Sequence, residues 1–230
     1  YVSNSIDFGN GALTTSFGDY DIFVAKYAGA DGRCLWAKRF GTMFSEYGYG
    51  VAVDTSGNVL VTGVFYGTTN FGGGGLTAVS GSADIWIAKY SGTTGAHLWS
   101  RAIGGTGSDF GRGVAVDPAG NAIVVGRMSG AVDFGAGALL SSGGQDAFVA
   151  KYAADGRYLW AKRYGGAGND YLDSVAVDLA GDVLVAGTFP GSANFGTTLT
   201  SAGGTDGIVA KFAGSDGRSV WSRRFGGTGD

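Results

Sequence analysis

The chain has 230 residues with a formal net charge of −3, and it contains 46 Gly but only 2 Pro. This charge gives no electrostatic case for a nucleic-acid partner, and no apolar run approaches the ~18 residues that cross a bilayer. Scarce Pro and the lack of a three-residue Gly period exclude collagen, and 5 Trp, 11 Tyr and 14 Phe exclude a disordered linker. Many glycines beside many aromatic residues favour short strands joined by tight turns.

The cysteine content and the first residue bear on the origin of the chain. A single Cys cannot form an internal disulfide, which suits a reducing compartment and equally a secreted protein without disulfides. The sequence starts at Tyr1, with neither Met nor a signal peptide. We therefore expect a processed product or a piece of a longer protein.

The predicted strands, taken in chain order, repeat as a unit of four. A partial unit at 1–49 gives a third and a fourth strand only, and fuller units follow at 50–112, 113–173 and 174–230. In the second unit the strands are "VAVD" at Val51–Asp54, "NVLVTG" at 58–63, "DIWIAKY" at 84–90 and "HLWSRAI" at 97–103. A tight turn with a left-handed Gly57 joins the first two strands, and the 20 Gly-rich residues at 64–83 are predicted as a loop. The whole chain then contains 14 strands.

The period of the repeat is set by four tryptophans spaced 63, 61 and 61 residues apart: Trp36, Trp99, Trp160 and Trp221. The strands are apolar on both faces, since Ile85 and Ile87 point one way while Trp86 and Ala88 point the other. Such sheets must be covered on both sides, which a radial stack of four-stranded blades achieves. The sequence predicts an all-β propeller with antiparallel blades of 61 to 63 residues, "VAVD" strands innermost and "LWAKR"-type strands outermost.

A closed ring of four blades would lack one inner hairpin and leave strand edges open. We therefore expect a segment of a larger propeller with six to eight blades, within the usual range. Self-association that fills the gap is the alternative.

The alternation of "GVAVDxxGNVxVTG" and "DxFVAKYxxxGxxLWAKRxGG" resembles the bacterial β-propeller repeat called SBBP, and more distantly the blades of NHL-type propellers. The resemblance covers nearly the whole chain. It implies a propeller of the kind often found in secreted or surface-attached bacterial proteins, so an extracellular or cell-surface location is expected. It implies no reaction and supplies no catalytic residues.

The stretch "GGAGNDYLD" at 165–173 matches the calcium-binding nonapeptide of β-rolls, G-G-x-G-x-D-x-U-x. β-roll motifs recur every ~9 residues, whereas this one recurs about once per blade, so it is interpreted as an inter-blade loop. The acidic position recurs in each loop, at Glu46, Asp109, Asp170 and Asp230.

The favoured interpretation of these four acids is hydrogen bonding within their own turns. The alternative is an acidic rim, with Asp7 or Asp133 nearby, that holds a cation. Because Ca²⁺ needs ~6–8 oxygen ligands, we expect no metal or cofactor and little thermal shift with calcium.

No catalytic group stands out from the repeat. Cys34 and His97 occupy one variable position in different units, so a nucleophile–base pair is not expected. The recurring Asp and Lys of strand three lie five residues apart, on opposite strand faces, and are expected to pair with neighbouring strands in the scaffold. The repeat shows no clear break in symmetry, which active sites usually introduce.

The favoured function is therefore a non-enzymatic binding or scaffold module with a protein or glycan ligand. Loop aromatics could stack on sugars, although packing between blades is the favoured role for them: Phe44, Tyr47, Tyr49, Phe110 and Tyr171. The competing class is a fragment of a propeller enzyme, a hydrolase or a cofactor-dependent enzyme, with catalytic residues outside this chain. The enzyme question stays open, with the repeat symmetry against it.

Overall fold

The computed structural model of the protein describes residues 5–14 and 20–229. These residues form strands, and their helical content is one short 3₁₀ turn at Val79–Gly81. The predicted all-β class is confirmed. Within the described ranges no helix has the length and apolar character needed to cross a lipid bilayer.

The strands group into blades as the period predicts. Blade one contains β1 (Ser5–Asp7), β2 (Ala12–Thr14), β3 (Ile22–Tyr27) and β4 (Cys34–Phe40). Blade two contains β5 (Tyr47–Val53), β6 (Val59–Phe65), β7 (Thr68–Asn70), β8 (Gly75–Thr77), β9 (Asp84–Tyr90) and β10 (His97–Ile103). Blade three contains β11 (Phe110–Val116), β12 (Ala122–Asp133), β13 (Ala138–Tyr152) and β14 (Tyr158–Gly166). Blade four contains β15 (Tyr171–Val177), β16 (Val183–Asn194), β17 (Thr198–Phe212) and β18 (Ser219–Phe225).

Two predicted features differ from the structure. The first strand begins earlier than "VAVD", at Tyr47 in blade two, so it spans the unit boundaries placed after residues 49, 112 and 173. The Gly-rich segment predicted as a loop is instead a β-hairpin: β1–β2 and β7–β8 in the first two blades, and extensions of β12–β13 and β16–β17 in the others. The described residues therefore contain 18 strands, namely the 14 predicted ones and four short strands of these hairpins.

The turn between the first two strands depends on an Asp. In blade two, Asp54 Oδ1 accepts hydrogen bonds from the backbone N–H groups of Ser56 and Asn58, at 2.9 and 2.8 Å. Gly57 has a φ of 79°, the left-handed conformation that the pattern predicts. The carboxylate of the same Asp forms an ion pair with Lys89 Nζ at 2.9 Å. The strand-three Lys thus pairs with the inner hairpin and fixes it to β9.

The strands of each full blade are antiparallel, in the order β10–β9–β6–β5 for blade two, and the end of β14 in blade three also pairs with β16 of blade four. The first strand of blade three, β11, contacts the first strands of blades two and four, β5 and β15, so these strands lie innermost. Gly50 and Gly113 allow this approach, because a Cβ at Gly50 would lie 2.9 Å from Val114 N. The core lies between the blades, in three apolar clusters that each combine residues of adjacent blades.

Candidate functional site

The acidic residues of the inter-blade loops are buried. Glu46 is 1% exposed, and Asp109 and Asp170 are fully buried. Asp230, the fourth residue of this set, lies outside the described residues. The three described carboxylates are therefore enclosed within the joints between blades and do not form a solvent-facing rim.

These carboxylates bind their own loops. Asp109 accepts hydrogen bonds from Gly105 N at 3.0 Å and Ser129 N at 2.8 Å. Asp170 accepts one from Gly166 N at 2.8 Å, and Glu46 accepts from the hydroxyl of Thr42 at 2.6 Å. Each of the three thus accepts a hydrogen bond within its own turn, and Asp109 and Glu46 also accept one from Ser129 and Thr69 on other strands. In the described part of the chain no cluster of three or more His, Cys, Asp or Glu could hold a metal ion.

Each loop carboxylate also interacts with the Asp that begins strand three of the preceding unit. Asp109 interacts with Asp84, Asp170 with Asp146, and Glu46 with Asp21. Burial, together with the neighbouring carboxylate, outweighs the backbone hydrogen bonds and raises the pKa of Asp109 to about 7 and that of Asp170 to about 6. Asp146 Oδ1 and Asp170 Oδ1 are buried without a hydrogen-bond partner. The joints between blades therefore contain pairs of acids that resist being charged together.

An arginine from strand four stabilises three of the strand-three acids. Arg39 pairs with Asp21 at 2.8 Å, Arg163 with Asp146 at 3.0 Å and Arg224 with Asp206 at 2.5 Å. Blade two has Ala102 at this position, and Asp84 accepts instead from Val79 N and the Ser82 hydroxyl. The expectation that the repeat has no clear break in symmetry is therefore wrong, because blade two lacks the arginine.

The lone Cys and lone His lie on different blades, Cys34 on β4 and His97 on β10. The His97 ring is hydrogen-bonded to the Ser100 hydroxyl at 3.0 Å, and burial lowers the pKa of His97. This imidazole is thus engaged within its own strand.

Four of the five candidate aromatic residues take part in one row with two arginines. The guanidinium of Arg112 lies over the Tyr49 ring, 4.4 Å from its centroid, and 5.5 Å from the Phe110 ring. Arg127 lies between Phe110 and Tyr171, at 4.4 and 4.6 Å. Tyr47 stacks on Tyr49 at 6.0 Å with an interplanar angle of 4°. We call this set the arginine–aromatic row; it comprises Tyr47, Tyr49, Arg112, Phe110, Arg127 and Tyr171.

The repeat itself builds this row across three blades. Tyr47, Phe110 and Tyr171 each begin the first strand of a blade. A β-bulge follows them, and Tyr49 and Arg112 are the extra residues where the register shifts. Bulges redirect a side chain relative to the regular pleat, and here they turn these two side chains toward the adjacent blade.

Phe44, the fifth candidate, does not flank either arginine. Its ring packs against Gly67, where an added Cβ would lie 2.5 Å from a Phe44 ring carbon. Phe44 is 46% exposed and lies in the loop before β5.

The repeat pattern did not point to Arg112 and Arg127. The available signal was an Arg at the bulge position, where the other blades have Tyr49 and Asp173. Among the described residues neither Arg112 nor Arg127 has a carboxylate within ion-pair distance, and the Nε atom of each is buried without a hydrogen-bond partner. The positive charges of Arg112 and Arg127 are therefore stabilised only by cation–π contacts with the aromatic rings of the row. The same rings can stack on a ligand.

Comparisons with known proteins agree with the repeat. The model of the SBBP β-propeller repeat matches residues 35–64 and 98–127, and each match runs from strand four of one blade to strand two of the next. An uncharacterized WD repeat-containing protein of Acanthamoeba polyphaga mimivirus is 28% identical over 237 residues. That alignment covers 84% of this chain and 17% of the relative, so the chain spans under a fifth of the relative's length.

Two solved structures are similar in outline. BamB from Moraxella catarrhalis is 14% identical with a TM-score of 0.45, over 96% of this chain and 47% of BamB. The quinohemoprotein alcohol dehydrogenase ADHIIG from Pseudomonas putida HK5 is 10% identical with a TM-score of 0.41, over 80% of this chain and 37% of that one. Two places in this chain thus match the SBBP β-propeller repeat, and the 61- to 63-residue period and the four-stranded blades continue beyond them.

Proposed function

We propose that the chain is a non-catalytic binding module whose ligand surface is the arginine–aromatic row. The observation that carries this proposal is the pair Arg112 and Arg127, whose guanidinium groups lie between ring faces with no carboxylate at ion-pair distance in the described residues. Two unneutralised cations beside aromatic rings favour an anionic ligand with a flat or ring-shaped face.

The use of the other repeated charges supports binding rather than catalysis. Lys89 and Lys151 are bound to the Asp of the inner hairpins, and Asp21 and Asp146 are bound to strand-four arginines. These groups stabilise the scaffold in each blade, so they are not available as acids or bases for a substrate.

The ligand class that fits the row best is an acidic carbohydrate. Sugar rings stack on aromatic faces, and a uronic or sialic carboxylate matches the planar fork of an arginine. The expected extracellular or cell-surface location, which rests on the family resemblance, suits such a ligand.

A glycan array that carries neutral and carboxylated sugars tests this function. We expect wild-type protein to bind carboxylated glycans, and Arg112→Gln and Arg127→Gln each to weaken that binding about tenfold or more. Arg157→Gln is the matched control, since Arg157 is an exposed arginine paired only with Asp155. Thermal melts of all variants check that the fold is intact.

Two results would contradict the proposal. Equal binding of neutral and carboxylated sugars would show that Arg112 and Arg127 do not recognise a carboxylate. Undiminished binding by folded Arg112→Gln and Arg127→Gln proteins would place the ligand elsewhere on the molecule.

A further inference from the structure

Two buried oxygen atoms at the joint between blades three and four have no hydrogen-bond partner. They are Asp146 Oδ1, in β13, and Asp170 Oδ1, in the loop that precedes β15. Both residues are 0% exposed. A buried carboxylate oxygen without a donor is costly, so a group that satisfies these atoms is expected at this joint.

The equivalent joint between blades two and three supplies a donor to every carboxylate oxygen. Asp84 Oδ1 accepts from the Ser82 hydroxyl at 3.1 Å, and Asp84 Oδ2 accepts from a backbone N–H at 2.8 Å. Asp109 Oδ1 accepts from Ser129 N at 2.8 Å, and Asp109 Oδ2 accepts from Gly105 N at 3.0 Å. The unpaired oxygens therefore belong to one joint and are not a general feature of the repeat.

A proline removes the donor for Asp170. Ser129 and Pro190 occupy the same place in successive blades, each three residues after the glycine that faces the bulge. Proline has no backbone N–H, so it cannot supply the hydrogen bond that Ser129 N gives to Asp109. Asp170 is thus left with one donor, Gly166 N at 2.8 Å, which binds Oδ2.

A glycine has the same effect on Asp146. In blade two, the hydroxyl that donates to Asp84 Oδ1 belongs to Ser82, two residues earlier, and Gly144 takes that place before Asp146. The other oxygen, Asp146 Oδ2, accepts from Arg163 at 3.0 Å. Both unpaired oxygens thus have a cause in the sequence.

The two carboxylates converge beside Gly165. A Cβ added to this glycine would lie 2.4 Å from Asp146 Oδ1 and 2.6 Å from Asp170 Oδ2. The Asp170 carboxyl is within hydrogen-bond reach of Asp146. Two acceptors that face each other repel when both are charged, whereas a proton between them makes a hydrogen bond.

A proton fits this pair better than a metal ion does. Ca²⁺ takes ~6–8 oxygen ligands, whereas two carboxylates converge here and one of them is already paired with Arg163. In the described residues no third His, Cys, Asp or Glu completes a metal-binding cluster. The two acids and Arg163 together carry one more negative charge than positive, which a single proton neutralises.

We propose that Asp146 and Asp170 share one proton, which the Asp170 carboxyl donates to Asp146 Oδ1, and that this hydrogen bond holds blade four against blade three at mildly acidic pH. The titratable groups that act on Asp170 are Asp146 and Arg163. Burial and the neighbouring carboxylate raise the pKa of Asp170 to about 6. The shared proton is therefore lost, and the joint weakens, as pH rises through about 6.

Carbon-13 NMR of protein labelled at the aspartate carboxyl carbons tests this proposal. We expect the signals of Asp146 and Asp170 to shift together in one step near pH 6, because the proton belongs to the pair. Asp155 is an internal reference, since it is exposed and its pKa is lowered, so its signal should stay constant through this step.

Pro190→Ala restores the backbone N–H that Asp170 lacks. It should lower the midpoint of the step by about one pH unit or more, a tenfold loss of proton affinity, because the new hydrogen bond favours the charged carboxylate. Pro118→Ala changes the other proline of the chain and is the matched control, which should leave the step unchanged.

Asp170→Asn keeps the proposal testable where Pro190→Ala does not fold. Its side-chain amide can donate to Asp146 Oδ1 in place of the shared proton. The Asp146 signal should then show no step near pH 6.

Four results would overturn the proposal: a step at Asp170 without one at Asp146, an unchanged step in folded Pro190→Ala protein, a persistent step at Asp146 in Asp170→Asn protein, or a shift of either signal when Ca²⁺ is added at neutral pH. None of these results depends on Arg112 or Arg127, so this proposal and the glycan-binding function can fail separately.

Discussion

Buried carboxylates at the joints between blades are the main electrostatic feature at the scale of single residues. Asp109 and Asp170 are fully buried, each beside a second acid, yet they accept backbone hydrogen bonds that close the inter-blade loops. Their raised pKa values mean that the folded state binds protons more tightly than the unfolded chain. Protonation is thus coupled to the stability of these joints.

This coupling predicts that the protein is more stable at mildly acidic pH. Asp109 and Asp170, with pKa values of about 7 and about 6, favour folding at low pH, and this contribution is lost as pH rises through those values. Asp54 and Asp117, whose pKa values are lowered by hydrogen bonds and lysine contacts that outweigh burial, favour folding above their unfolded pKa and lose that contribution on acidification. We expect the free energy of unfolding in urea to rise by on the order of 2 kcal/mol from about pH 8 to about pH 5, then to fall below about pH 4.

Asp109→Asn should reduce the rise in the free energy of unfolding between about pH 8 and about pH 5, because it removes one of the two titrating groups, Asp109 and Asp170. Asp155→Asn is the control, since Asp155 is exposed and its pKa is lowered. A rise that is equally steep in the Asp109→Asn protein would show that the loop acids are not its source.

The missing arginine of blade two gives a second prediction at this scale. In Ala102→Arg the new guanidinium should reach Asp84, as Arg163 reaches Asp146, and should stabilise the protein at pH 7 by about 1 kcal/mol. Ala102→Met is the control for the added stem without the charge. The measurement is urea unfolding at low and high salt, and equal gains from Arg and Met would show that packing, not charge, is responsible.

At the scale of the strand, the bulge in each first strand depends on a glycine in its partner. A Cβ at Gly63, Gly126 or Gly187 would lie 1.8 to 1.9 Å from the carbonyl oxygen of Tyr47, Phe110 or Tyr171. The bulge therefore moves the first strand against its neighbour, and only a residue without a side chain leaves room. The same bulge places Arg112 in the arginine–aromatic row, so packing of the hairpin and geometry of the row are linked.

Gly126→Ala should accordingly destabilise the protein by about 3 kcal/mol, because the backbone of β11 or β12 must shift. It should also weaken glycan binding by displacing Arg112 and Phe110. Gly29→Ala is the control, since a Cβ at Gly29 meets nothing within 4 Å. Chemical denaturation measures the effect, and an alanine tolerated at both positions would contradict this account of the bulge.

At the scale of the whole molecule, the blades pack side by side, and the stability of each blade depends on the adjacent blades. Blade three is covered on both sides, whereas blade one has an open strand edge and blade four exposes Leu179 at 98% and Phe225 at 60%. In repeat architectures each unit is stabilised chiefly by its interfaces with adjacent units. The central blade should then be the most stable part of the described structure.

Amide hydrogen exchange tests this gradient. We expect β12 and β13 to exchange most slowly and β3 to exchange faster than its counterparts β9, β13 and β17, since β3 has one partner strand among the described residues. Mass spectrometry of peptic fragments resolves these segments. Uniform exchange across blades one to four would instead indicate a single cooperative unit.

The sequence alone predicted the repeat length, the four strand types and their order from edge to edge, because each strand's pattern recurs at a fixed spacing. It also predicted that Glu46, Asp109 and Asp170 bind their own turns. The sequence prediction was wrong for residues 64–83, because the many glycines there favoured a loop. In the structure, main-chain pairing between Thr68–Asn70 and Gly75–Thr77 forms a hairpin. Pairing between backbones leaves little trace in side-chain pattern.

Sequence by itself therefore determined the fold class and the scaffold of this protein, since burial and turn chemistry act locally and repeat four times. Only the tertiary structure decided which side chains meet between blades. Arg112 and Arg127 lie on different strands, and β-bulges and the packing of three blades bring them between Tyr49, Phe110 and Tyr171. This arrangement depends on distances between residues far apart in the chain, which no local spacing encodes.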